Sequence, residues 1–193
     1  MNDEELRKYF EYSNGTLRNK LGIHDANELE EVSYKMSAKK ANALIKTNPK
    51  IKSIDDLCKI HKYMFGDLFD WAGKLRNYNI GKTTEINGQA VTTDFLDQSV
   101  LNNGILAIND ELNNLPENKI SVHEYANILD SVNFLHPFRE GNGRSTKCFL
   151  QCLAQNHGQE IDYNRDQNEF IVAENNADVD ALSKVLTVHD LKQ

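Results

Sequence analysis

The sequence predicts an all-α domain interrupted by one β-hairpin. Three observations point there. Apolar residues recur at helical spacing along most of the 193-residue chain, between recognisable caps. The chain has three prolines (Pro49, Pro116 and Pro137), and each falls between such segments. One stretch, near residues 75–93, breaks the rhythm and contains Asn87-Gly88, a strong hairpin-turn signal. The length suits one domain with a sizeable core, so residues 1–193 read as a single domain.

Taken in order, residues 25–46 place Leu29, Val32, Met36, Ala43 and Leu44 on one stripe, opened by Asp25 with Glu28 three positions later. Ser53 opens a second helix on which Ile54, Leu57, Cys58, His61 and Met64 face one way. A third helix is expected from about Asp94 to Leu115, ending at Pro116. Ser121 and Glu124 form a capping box for a fourth, with the stripe Val122, Tyr125, Ala126, Leu129 and Val132. A fifth runs from roughly Gly143 to Asn156, where Gly158 is placed to end it. Residues 166–187 predict one or two shorter closing helices. Between the second and third helices, Leu75–Ile80 and Gln89–Thr93 flank a stretch with Gly81, Asn87 and Gly88. Two strands alone are marginal, and here no sheet waits to receive them. The hairpin over about residues 77–95 therefore reads as a functional flap.

Composition narrows the function. With 39% hydrophobic and 26% charged residues, the chain has the material of a globular protein. Its net charge of -7 sets up a field that repels nucleic acid, and no basic block reverses it. Cys58, Cys148 and Cys152 are an odd count without Cys-x-x-Cys spacing, which argues against a disulfide framework and a thiolate zinc site. They read as small buried hydrophobes. No apolar run approaches the roughly 20 residues of a membrane span. The start Met-Asn-Asp-Glu-Glu is the opposite of a basic signal peptide. A cytoplasmic location is expected, although delivery by a specialised secretion system would leave no such mark.

Chemistry concentrates in residues 136–144, His-Pro-Phe-Arg-Glu-Gly-Asn-Gly-Arg, between the fourth and fifth helices. Pro137 disfavours helical geometry at His136 and sets it at the exit of the fourth helix. Gly141 and Gly143, on either side of Asn142, free the backbone to take positive φ and turn its N–H groups inward. The next helix starts at once, so its N-terminus and Arg144 face the same loop, as in a phosphate cradle. Glu140 is a hard oxygen ligand suited to Mg²⁺ on phosphate oxygens. His136 can serve as a general base near neutral pH. Together these residues predict a site for Mg²⁺-dependent phosphotransfer or nucleotidyl transfer. A rival reading makes His136 and Glu140, four apart, ligands of a hydrolytic metal, but Pro137 and Gly141 spoil the helix such a pair needs.

The stretch resembles the signature of the Fic family, His-Pro-Phe-x-Asp/Glu-Gly-Asn-Gly-Arg-x-x-Arg. It matches at His136, Pro137, Phe138, Glu140, Gly141, Asn142, Gly143 and Arg144. Trp71-Ala72-Gly73 followed by a hairpin also fits, so the resemblance extends over roughly residues 15–190. It implies the Fic fold and AMP transfer from ATP to a Tyr, Thr or Ser hydroxyl of a target protein. By the same resemblance, His136 would deprotonate that hydroxyl and Phe138 would be a buried anchor. Glu140 would hold Mg²⁺ between the α- and β-phosphates. Asn142 and the N–H groups beside Gly141 and Gly143 would line the α-phosphate hole, and Arg144 would bind the β/γ end. The hairpin would align the target by strand addition.

Two departures stand out. Lys147 replaces the family's second arginine; it keeps the charge but loses the planar fork, so altered γ-phosphate placement is expected. The self-inhibitory pattern Ser/Thr-x-x-x-Glu-Gly/Asn is not found. Before the pairs Glu117-Asn118 and Glu174-Asn175 stand Asn113 and Phe170. The chain thus resembles the toxin-type subgroup, whose inhibitory helix belongs to a separate small antitoxin protein. The competing readings are a Fic-fold phosphotransferase, whose loop would carry a lysine where Gly143 stands, an enzyme that removes AMP or transfers another phosphate-linked group, and a non-catalytic nucleotide-binding scaffold.

Overall fold

Several helices begin where the sequence supplies an acceptor for unpaired N–H groups. In the computed structural model, which describes residues 3–86, 89–163 and 177–191, α1 spans Asp3–Phe10 and α2 spans Ala26–Ile45. The Asp25 carboxylate caps α2, accepting from the Glu28 N–H at 2.9 Å. Helix α3, Ile54–Phe65, follows Ser53, and the Asp56 carboxylate reaches back to the N–H groups of Lys52 and Ser53 at 2.9 and 3.3 Å. After the hairpin β1 (Gly81–Ile86) and β2 (Gln89–Asp94), a 3₁₀ turn at Gln98–Val100 leads into α4, Leu101–Asn113. Helix α5, Val122–Leu135, carries the expected capping box. Ser121 Oγ accepts from Glu124 N–H, and the Glu124 carboxylate accepts from Ser121 N–H at 2.7 Å. Helix α6 spans Asn142–Asn156 and β3 spans Gln159–Tyr163. Helix α7, Val179–Val185, is capped by Asp178 and runs into β4, Leu186–Asp190.

Helices α5 and α6 form the centre. Tyr125, Ala126, Ile128, Leu129, Val132 and Leu135 of α5 are buried, as are Cys148, Phe149, Leu150, Cys152, Leu153 and Ala154 of α6. Around them, α3 packs on α6 and α2, while α4 and α7 pack on α5. Each large apolar side chain so buried contributes roughly 1.5–3 kcal/mol, which makes this pair the rigid frame for the loop between them. The cysteines are free and serve that packing; burial pushes the Cys58 thiol up to about 11. Among the described residues, no helix is long and apolar enough to cross a membrane.

The sequence and the structure part in several places, the first being the unexpected α1. The third helix was expected from Asp94 but starts at Leu101. Phe95, Leu96 and Asp97 have other duties: Phe95 stacks on His136, Leu96 N–H donates to Phe134 O, and Asp97 caps the 3₁₀ turn. The first hairpin strand begins at Gly81 rather than near Leu75, because Arg76 is buried and ties its segment to α5. Finally, a second two-stranded sheet, β3 antiparallel to β4, closes the C-terminal part where only helices were expected. Gln159 opens it as a buried polar residue whose side-chain oxygen accepts from Ile120 N–H and Tyr125 Oη–H. The Asn87-Gly88 turn, residues 164–176 of the expected closing segment, and Phe170 with Glu174-Asn175 lie outside the described residues.

Candidate active site

The loop joining α5 to α6 starts with His136 in the left-handed region, at φ 41° and ψ 63°. Its N–H still closes the last turn of α5 on Val132 O at 3.1 Å. The ring lies flat against Phe95, with centroids 3.6 Å apart. Nδ1 sits 3.2 Å from Asn133 O, and a carbonyl can only accept, so in the neutral ring Nδ1 carries the proton and Nε2 the lone pair. This is the tautomer a base acting through Nε2 requires.

The rest of the loop is braced from beneath. Phe138 is fully buried and stacks on His61, with centroids 3.8 Å apart. His61 Nε2–H donates to Glu140 O and its Nδ1 accepts from Gly73 N–H, each at 2.9 Å. This one imidazole therefore ties the Trp71-Ala72-Gly73 turn to the loop. Burial pushes its pKa down to about 4, so it stays neutral as the bridge demands. Asn142 braces the loop from the other side: its Oδ1 accepts from Phe138 N–H and its Nδ2 donates to Phe138 O, both at 2.9 Å. Its side chain thus braces the loop through one bond at each end of the amide, and its backbone N–H is a further group it can offer a phosphate.

Gly141 takes φ 80°, and a Cβ there would lie 2.7 Å from the Phe65 ring. Gly143, expected to share the positive φ, instead belongs to the first turn of α6. Nothing in the fold itself requires glycine there, since it is exposed and an added Cβ would meet nothing within 4 Å. Helix α6 has no side-chain cap, unlike α2, α5 and α7. Its first N–H groups and the positive end of its dipole thus face outward beside Gly143.

Charge gathers at this helix start. The Glu140 carboxylate is half-exposed; its Oε1 accepts from Gly141 N–H at 2.9 Å and lies 3.5 Å from Arg144 Nη2. Arg144 Nη1 donates to Ser33 and Ser37 of α2, and the guanidinium is sandwiched between Tyr34 and Phe65, 4.5 and 4.8 Å from their centroids. Glu140 and Arg144 line a cavity of about 270 Å³ whose other wall includes Thr16, Leu29, Ser33 and Tyr34. Lys147, one turn further along α6, places Nζ 5.1 Å from the Tyr163 ring centroid, toward β3.

The structure brings His136, Phe138, Glu140, Gly141, Asn142, Gly143 and Arg144 to one place, and Lys147 to its edge. Sequence reasoning did not find the residues that hold them: His61, which read as one more member of an apolar stripe, Ser33 and Ser37 on α2, Phe95, and Arg76. A histidine among otherwise apolar stripe positions was the available signal for His61; the two serines, four apart on α2, carried none.

The Fic/DOC family model matches residues 52–154, more than half of the chain. The chain is 33% identical over 156 residues to a probable protein adenylyltransferase Fic of Salmonella typhimurium, covering 76% of this chain and 72% of that protein. It is 32% identical over 162 residues to the protein adenylyltransferase VbhT of Bartonella schoenbuchensis, covering 83% of this chain and 33% of that longer protein. Its fold is similar to that of the N-terminal Fic domain of a Bartonella quintana effector solved with ADP. There the TM-score is 0.80 at 22% identity, over 96% of both chains. The Bartonella tribocorum BepC protein solved with AMPPNP is likewise similar, with a TM-score of 0.77 at 23% identity over 96% of this chain and 98% of that one. A loop built on this plan, in a chain matched at this level along most of its length, belongs to the Fic family.

Proposed function

We propose that the chain is a protein adenylyltransferase, transferring AMP from ATP to a Tyr, Thr or Ser hydroxyl of a target protein. The observation that carries this reading is the His136 tautomer, set by Asn133 O, in the same short loop as the uncapped start of α6. One group is ready to take a proton, and the neighbouring one is ready to receive a phosphate. The names of the relatives and the adenine nucleotides bound to the Bartonella domains agree with it.

In this mechanism His136 Nε2 accepts the proton of the target hydroxyl as its oxygen attacks the α-phosphorus of ATP. The bond from that phosphorus to the bridging oxygen breaks, and pyrophosphate leaves with the electron pair. Charge grows on the α-phosphate oxygens and the leaving group, where the N–H groups of Asn142 and Gly143, the α6 dipole and Arg144 are preorganised to meet it. Arg144 enters this role already oriented by Ser33, Ser37, Tyr34 and Phe65. Lys147 supplies a further positive charge near the γ end, as a point charge rather than a fork.

The residues fit a Mg²⁺ ion carried by the nucleotide. Among the described residues there is no group of three or more acidic, histidine or cysteine side chains able to cage a metal. Glu140 alone offers a half-exposed carboxylate at the phosphate-facing helix start. That is the donor set of an ion held by one protein carboxylate plus phosphates and water. Bound there, Mg²⁺ would neutralise phosphate charge while Glu140 keeps the ion in register with the loop.

The partner side of the reading has two parts: the hairpin aligns the target backbone by strand addition, and a separate antitoxin protein supplies the inhibitory helix. The first rests on the hairpin's place beside the loop, where Phe95 at its end stacks on His136. The second rests on the want of a self-inhibitory pattern in the sequence.

The test is an incubation of the purified protein with Mg²⁺, bacterial lysate and ATP labelled on the α- or the γ-phosphate. Protein-bound α-label in a target band, absent with His136→Ala, is the expected result. Bound γ-label would replace AMP transfer by phosphotransfer.

A further inference from the structure

The residue that most tightly joins the loop to the hairpin lies outside the signature stretch. Arg76 is 4% exposed. Its Nε–H donates to His136 O at 2.8 Å, its Nη1 to Tyr78 O at 2.8 Å, and its Nη2 both to Leu135 O at 3.1 Å and to Leu96 O. Its backbone N–H donates to Pro137 O at 2.8 Å. One side chain and its own amide therefore hold three consecutive carbonyls at the α5–loop junction and one carbonyl on each side of the hairpin, since Tyr78 precedes β1 and Leu96 follows β2.

Stability alone does not account for this arrangement. No carboxylate forms an ion pair with Arg76 among the described residues; every acceptor is a main-chain carbonyl. The Asp97 carboxylate acts on the charge only from beyond ion-pair distance; burying a guanidinium so weakly compensated is costly, and apolar residues of similar shape often replace buried charges without loss. What an apolar residue cannot do is fix the directions of four carbonyls from three segments. Lysine cannot do so either, because a single ammonium lacks the planar fork. Two of those directions bear on chemistry. His136 sits in the left-handed region, where its carbonyl orientation sets the path from α5 into the loop. Leu96 follows Phe95, whose ring backs the His136 imidazole.

We propose that Arg76 is a positioning residue for AMP transfer, locking the His136 main chain to both feet of the hairpin so that the base and the target-aligning strand keep one relative geometry. This rests on the function proposed above. Arg76 touches no reacting atom; it acts through His136, Leu96 and Tyr78. Its burial, which pulls its pKa below the ordinary arginine value without removing its charge, agrees with a dry, fixed clamp.

The test compares wild type, Arg76→Lys, Arg76→Met and His136→Ala in α-labelled ATP transfer to a fixed bacterial lysate, each assayed below its own Tm. Misplacing a catalytic group by about an ångström costs on the order of 100-fold. Arg76→Lys and Arg76→Met should lose about that much of the labelling rate at saturating ATP, while the ATP concentration for half-maximal rate moves by less than about threefold. A second readout needs no activity: ¹⁵N spectra of the imidazole rings should show His136 as a single Nδ1–H tautomer in wild type and as a mixture in Arg76→Lys. A folded Arg76→Lys with the wild-type rate and tautomer overturns the inference, as does a rate loss that simply follows lost ATP affinity. If His136→Ala labels like wild type, the transfer reading itself fails. If His136→Ala is silent and Arg76→Lys is not impaired, only the role of Arg76 fails.

Discussion

The loop from His136 to Gly141 and the hairpin from Gly81 to Asp94 both belong to the candidate site, yet they are built on opposite plans. Each residue of the loop answers to something distant in the chain. Phe138 rests on His61, Glu140 O receives a hydrogen bond from that same ring, Gly141 packs on Phe65, and the carbonyls of His136 and Pro137 are held by Arg76. The hairpin answers mainly to itself: β1 pairs with β2 from Gly81↔Asp94 to Ile86↔Gln89, and neither strand pairs with any other described strand. Among the described residues, ties to the body are seen at its feet, where Arg76 and the Phe95–His136 stack meet it. The difference matches the two tasks proposed for them. A group that transfers protons has to be over-determined, because small displacements are expensive. A strand that receives a partner's backbone gains by leaving its own edge to that partner.

The comparison can be broken first at the base. His136→Ala should lower transfer by about 10³-fold, the range of a lost general base, while unfolding free energy changes by about 1 kcal/mol. Rate assays set beside urea melts would show it, and a comparable loss of stability would mean that the ring is a brace and not a base.

Acid should undo the loop from beneath. His61 has a folded pKa of about 4, below its ordinary value near 6.5, so the unfolded chain binds the extra proton in between. Its contribution is complete above pH 6.5 and is lost as pH falls toward 4, amounting to about 3 kcal/mol. Melts across that range, compared between wild type and His61→Gln, isolate this term; parallel curves would remove His61 from the account.

A single methyl should reach the loop as well. Gly141→Ala forces an L-residue to φ 80° and drives Cβ against the Phe65 ring, at a cost of about 2 kcal/mol. An undiminished Tm would show that α3 gives way more easily than its packing implies. The hairpin should be the least sensitive. Thr83 and Thr92 face each other across the strands with hydroxyls 3.1 Å apart, and replacing both by alanine should cost about 0.5 kcal/mol or less. Calorimetry that found a larger drop would bind the hairpin into the global fold and erase the contrast.

Much of this was legible in the amino acids. Asp25, Ser121 and Glu124 marked the starts of α2 and α5, since a cap and its acceptor lie within one turn of chain. The crowding of His136, Glu140, Gly141, Asn142, Gly143 and Arg144 into nine residues marked the site, because helix exit, turn and helix start are all local events. Legibility ended where a residue's duty lies far away along the chain. Leu75–Ile80 looked like a strand because alternation was visible and the burial of Arg76 was not. The third helix looked longer because nothing near Phe95 announced a partner 41 positions on. The β3–β4 sheet escaped because each strand is short and finds its mate across α7.

The sequence by itself determined where the helices begin, which loop carries the chemistry and which side chains that loop offers, for these follow from backbone preferences and caps acting over a few residues. Only the tertiary structure decided which nitrogen of His136 bears the proton, that the Asn142 side chain braces the loop at Phe138, that the space beside Gly143 is open, and that Arg76 clamps loop and hairpin together. Each of these depends on a carbonyl, ring or void in its folded setting, and a hydrogen bond is directional: the residue that makes it is written in the sequence, but its partner is chosen by packing.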